Sequence, residues 1–170
     1  MWNYRGDHRP PFAIAPGDGQ ESVWDYPRPP ALSPDYRTVS VHHGERCLAR
    51  ADRSIRVLET ASPPTFYLPP ESVNTGLLRP VTLTTFCEWK GTAHYYALAD
   101  DPSDTPVAWY YARPYPRFAD IAGHVAFYPR SLQCYVGGVP VRAQSGGFYG
   151  GWITPEIVGP FKGETGTGGW

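Results

Sequence analysis

Alternation of apolar and polar positions recurs through the middle of this chain. In "RTVSVHH" (37–43) Val39 and Val41 alternate with polar neighbours, and "GE" at 44–45 supplies a turn. "RCLARAD" and "RSIRVLET" continue the pattern, with Arg53, Ile55, Val57 and Glu59 on one face and Arg56 and Leu58 on the other. "PTFYLP" is a short aromatic strand bounded by prolines. "RPVTLTTFCEWKG" and "TAHYYALAD" predict two strands that meet near Lys90–Gly91, where glycine gives the backbone freedom a tight turn needs. "PVAWYYARPY" and "HVAFYPRSLQCYVGGVPVRA" complete the series, and only "PRFADIAGH" (116–124) predicts a short helix, ending near Gly123. Strands recurring at roughly ten-residue intervals predict a mainly β fold, a barrel or sandwich. No longer period repeats, which sets repeat architectures aside.

Composition divides the chain into three zones. Residues 1–36 hold seven prolines and little periodicity, yet Trp2, Tyr4, Phe12, Trp24 and Tyr26 are spread through them. Disordered segments are poor in aromatics, so "SVWDYPRPP" is expected to lie against its own domain or a neighbouring subunit. Residues 37–142 form the β-rich core domain. Residues 143–170 carry nine glycines with Phe148, Tyr149, Trp152, Phe161 and Trp170 among them, and read as a glycine-hinged tail anchored by aromatics. "GETGTGGW" is no dinucleotide fingerprint, because no helix follows it.

Charge narrows the partners. Charged residues make up 18% of the chain and the net charge is −1, with no Lys/Arg block, which argues against nucleic acid as a partner. No apolar run reaches the roughly 18 residues of a membrane span, and the N-terminus lacks an apolar signal region. Cys47, Cys87 and Cys134 are odd in number and widely spaced, with no CxxC pair. The expectation is a cytoplasmic chain with reduced thiols, no membrane partner, no metal and no cofactor.

The densest chemistry lies in "TTFCEWKGTAHYY" (84–96). In an extended strand Thr85, Cys87 and Trp89 share one side while Phe86, Glu88 and Lys90 share the other. Cys87 and Lys90 become partners only if a bulge or the turn at Gly91 brings Lys90 round; its ammonium would then activate the thiol as a nucleophile. The plainer alternative is a buried thiol beside a surface-reaching lysine. Glu88 and Lys90, two residues apart, are expected to face one ligand or to form an exposed pair. Tyr95, Tyr96, Trp109, Tyr110 and Tyr111 are the aromatics available to shield them from water. Arg56, beside Leu58, requires a carboxylate or a bound anion. Cys87 and Lys90 are thus the candidate catalytic residues. Arg56, Glu59, Tyr67, Glu88, Trp89, Tyr96 and Trp109 are the candidate ligand contacts. His42, His43 and Cys47 make a poor metal site because adjacent histidines point to opposite faces of a strand.

"ARADRSIRVLET", "PPTFYLP", "TTFCEWKGTAHYY", "AWYYARPYP" and "IAGHVAFYPR", in that order, resemble the bacterial domain of unknown function 427 family over roughly residues 37–130. The flanks "ESVWDYPRPP" and "GGFYGGWITPEIVGPFKG" resemble those of its longer members. The resemblance implies a small β-tent-like domain, here with long Pro-rich N-terminal and Gly-rich C-terminal extensions. Relatives of that fold group bind zinc through paired CxxC knuckles, which this chain lacks. The nucleotidyltransferase label the family sometimes bears has no support here, because the Gly-Ser turn and spaced carboxylates are absent.

Two functions fit these residues. The first is a small-molecule-binding β-domain whose aromatic pocket takes a polar or anionic ligand, with catalysis left open. The second is a non-catalytic interaction module whose aromatic tails clasp a partner or a second copy of the chain. Stacking of single-stranded nucleic acid on the aromatics ranks behind both.

Overall fold

The computed structural model describes residues 2–170 and is mainly β. Its strands of three or more residues are β1 (Ala31–Asp35), β2 (Val39–His43), β3 (Arg46–Ala51), β4 (Ser54–Leu58), β5 (Thr65–Tyr67), β6 (Leu78–Cys87), β7 (Gly91–Leu98), β8 (Ala108–Tyr110), β9 (Val125–Phe127) and β10 (Gln133–Val136). The predicted helix is a six-residue 3-10 segment, Pro116–Ile121, with Gly123 at φ +71° just beyond it. Among the described residues no sheet closes into a barrel. No helix is long and apolar enough to cross a membrane.

Three sheets carry the fold. Strands β9, β8, β7 and β6 form an antiparallel sheet in that order. A second sheet runs Val139–Pro140, β10, β2, β3, and a third runs β1, β4, β5. An isolated bridge between Leu68 and Val125 ties the end of β5 to β9. Side-chain alternation gives the first sheet two working faces. Leu98, Ala108, Val125 and Phe127 pack with the second sheet in one core, while Ala93, Tyr95, Trp109 and Ala126 turn towards β4–β5 in another.

Both terminal segments lie on this framework. Ala31–Asp35, within the stretch expected to be extended, pairs antiparallel with β4, its alternation hidden from inspection by Pro34. Glu21–Ser22 pairs parallel with Ile157–Val158, so the two segments hold each other. Trp24 is fully buried against Ala61, Ile157 and Phe161, and Trp170 stacks on Phe12 at 5.2 Å. The aromatics of the extensions thus have partners within their own chain.

Charge fastens this arrangement from outside. Arg37 donates to both oxygens of Asp35 and to Glu156, and Arg56 pairs with Glu21 and lies 3.5 Å from Asp35. Burial works to raise the carboxyl pKa values of Asp35 and Glu156, but hydrogen bonds and charge from Arg37 outweigh it and hold both below their ordinary values of 3.8 and 4.5. Groups depressed on folding stabilise fully above those ordinary values, and the contribution is lost as pH falls through the lower folded ones. Thermal melts taken from about pH 5 down to about pH 3 should therefore show the midpoint falling, and falling less steeply in Glu156→Gln. Parallel curves for the two chains would refute this linkage.

Candidate functional site

The second core is not filled. Between β4–β5 and the facing side of β7–β8 lies a cavity of about 420 Å³, within the range of small-ligand sites. Tyr67, Tyr95, Trp109, Tyr111 and Tyr128 wall it, and the terminal segments add Trp2, Phe148 and Tyr149. The wall is internally fixed. Trp109 Nε1 donates to the Tyr67 hydroxyl at 3.0 Å, and the Trp109 and Tyr128 rings pack at 4.5 Å between centroids. Gly150 lets the C-terminal segment lie directly on Trp109, since a Cβ there would stand 2.3 Å from the indole.

The β6–β7 hairpin delivers the polar groups. Alternation holds along the end of β6, where Thr85 and Cys87 line the cavity and Phe86, 69% exposed, stands at its rim. Glu88–Lys90 then leaves the strand as a three-residue loop, and Gly91 closes it opposite Cys87 with φ +102°. The loop overrides the face-sharing expected of Glu88 and Lys90: Glu88 is exposed, whereas Lys90 turns inward and keeps only 9% of its surface. The Lys90 carbonyl accepts a hydrogen bond from Tyr115 N at 3.2 Å, which holds the loop in place. Cys87 and Lys90 therefore line the same cavity, as the turn at Gly91 permits.

Lys90 makes no direct ion pair among the described residues. Its Nζ takes part in none of the side-chain hydrogen bonds or ion pairs found among the described residues, and Glu59, the carboxylate that acts on it, is paired with Arg28 at 3.3 Å. Its protein neighbours are the faces of Tyr111 and Phe118, 5.7 and 5.9 Å from the ring centroids, the limit of a useful cation–π contact. Burial pulls the ammonium pKa down, but Tyr67, Cys87 and Glu59 outweigh it and the group stands above an ordinary lysine. Lys90 is thus a cation at neutral pH, suited to hold an anion and unsuited to act as a free-amine base. Desolvation pushes the Tyr67 and Tyr111 phenols upward, so both remain neutral hydroxyls.

Of the candidates from the sequence, Glu59, Tyr67, Cys87, Glu88, Trp89, Lys90 and Trp109 all line this cavity. Arg56 and Tyr96 do not. The alternation that sends Val57 and Glu59 inward turns Arg56 to the opposite side of β4, where Glu21 and Asp35 take its charge. Tyr96 falls on the other face of β7 and stacks on Tyr110 at 5.0 Å; its neighbour Tyr95 is the one opposite Trp109. Unforeseen in the sequence were Tyr128, Gln144 and Lys162. Gln144 holds the tail by accepting from Gly151 N and donating to the Lys162 carbonyl, and Lys162 Nζ donates to the Trp170 carbonyl. No periodic signal marks these last two, because both lie outside the regular strands of the core. Among the described residues no three His, Cys, Asp or Glu side chains gather closely enough to hold a metal ion.

The arrangement can enclose a small planar body between aromatic walls and present one buried positive charge, a thiol and several hydroxyls to its polar end. No curated protein matches the chain. The profile of the family described as "Domain of unknown function (DUF427)" matches residues 31–138, from the first residue of β1 to two residues beyond β10, so that it takes in β1 to β10 and stops short of the Val139–Pro140 edge of the second sheet. This chain belongs to the DUF427 family.

Proposed function

We propose that the cavity binds a small anion carrying an aromatic or otherwise flat apolar body, with Lys90 as its counter-ion and the Trp109–Tyr128 wall as its stacking surface. The observation that carries this reading is the buried Lys90 ammonium with no carboxylate at ion-pair distance. A charge held out of water without a direct ion pair is favourably completed by an incoming anion. Glu59 and Glu88 at the same cavity favour a ligand that also offers a hydrogen-bond donor. The alternative, tails that clasp a second copy, draws less support, because Trp24, Tyr26 and Trp170 are already packed within the chain.

Two measurements test the reading. Calorimetry with benzoate, indole-3-acetate and phenyl phosphate, each against its neutral amide or alcohol, should show preference for the anion. Lys90→Met should weaken that anion about 10- to 100-fold, the worth of one charged hydrogen bond. Equal binding of anion and neutral analogue, absence of binding by all three anions, or equal affinity in the two chains would overturn the reading.

A further inference from the structure

We infer that Cys87 is a nucleophile that forms a covalent bond with a small anionic electrophile held by Lys90. The inference rests on the binding reading above and adds a reaction to it. Three placements support it. Cys87 ends β6 and lines the cavity, half-buried, two residues after Thr85, whose hydroxyl is 2.7 Å from that of Tyr95. The three-residue loop returns Lys90 to the same space, more than nine-tenths buried and without an ion-pair partner. Tyr111 lines the same cavity, and the Lys90 ammonium stands 5.7 Å from its ring centroid. A cation lining the same cavity as a thiol draws a carboxylate or phosphate to the site and sets its neighbouring carbon near the sulfur.

The class of reaction is substitution at carbon. The sulfur electron pair forms an S–C bond to a carbon next to the anionic group, and the bond from that carbon to its leaving group breaks. The leaving group departs with the electron pair, and the thiol proton passes to water through the open mouth. No oxidant or metal is consumed. The substrate class is a small carboxylate or phosphate ester with an electrophilic carbon, short enough to place that carbon on Cys87 while its charge meets Lys90.

The three cysteines make the test internal. Cys47 is exposed and lies away from the cavity, while burial pushes the Cys134 thiol up to about 12 and leaves it unreactive. The folded full-length chain is alkylated with iodoacetate or iodoacetamide, and each cysteine is followed by peptide mass spectrometry. The iodoacetate-to-iodoacetamide rate ratio should be about tenfold or more higher at Cys87 than at Cys47, from charge focusing in the cavity. Lys90→Met should bring it down to the Cys47 value, and Lys90→Arg, which keeps the charge and serves if the Met chain misfolds, should retain most of it. The same ratio at Cys87 and Cys47, or a ratio indifferent to both substitutions, overturns the inference. Calorimetry with the aryl anions on Cys87→Ser separates the two proposals: anion binding without preferential alkylation sinks this one alone, whereas loss of both sinks the binding reading as well.

Discussion

An ammonium group removed from water, without a carboxylate beside it, is the constraint around which this structure is arranged. Folding the chain places Lys90 there whatever the occupant, because the position follows from the hairpin. β6 and β7 pair in a register that puts Cys87 opposite Gly91, and the three residues between them have to turn in the space that remains. Gly91 at positive φ permits the turn, and Tyr115 N holds the Lys90 carbonyl. The charge is therefore held by backbone geometry, with the ring faces of Tyr111 and Phe118 beside it and Glu59 acting on it from its pair with Arg28.

The remaining architecture protects that arrangement. One face of the first sheet packs on the main core through Leu98, Ala108, Val125 and Phe127, where the Trp152 indole, stacked on Phe66 at 4.9 Å, donates to the Phe127 carbonyl at 2.9 Å. Its other face is lined by large aromatics that meet β4–β5 without closing the space between them. The terminal segments finish the enclosure. Trp2 sits between Arg28 at 4.2 Å and Lys162 at 5.3 Å, and Gly150 brings the tail against Trp109. Phe86 and Phe148, each 69% exposed, frame the opening with apolar surface. The Arg37 and Arg56 clusters fasten the two terminal segments to β1 and β4 on the far side.

Much of this was legible in the sequence, for physical reasons that differ from place to place. Strands β2 to β8 follow from period-two alternation punctuated by Gly and Pro, and the face assignment of β4 separates Val57 and Glu59 from Arg56 correctly. The same rule, applied to β7 and β8, would have chosen Tyr95 over Tyr96 had the register with Trp109 been known; pairing register is a tertiary property that one strand does not encode. Strict alternation failed at Glu88–Lys90, where the loop replaces the strand. The contributions of Gln144, Lys162 and Trp2 were invisible, because long-range packing of irregular segments leaves no periodic trace. The DUF427 match, confined to residues 31–138, likewise covers the hairpin and β4–β5 but neither terminal wall of the cavity.

The central claim is that Lys90 carries an anion-binding charge inside the cavity, and anomalous diffraction from a crystal soaked in bromide reads it directly. The account predicts a bromide peak within the aromatic enclosure, in contact with Lys90 Nζ, that vanishes in a Lys90→Met crystal. Bromide confined to the outer surface, with the Lys90 ammonium bonded to Glu59 or Glu88, would contradict it.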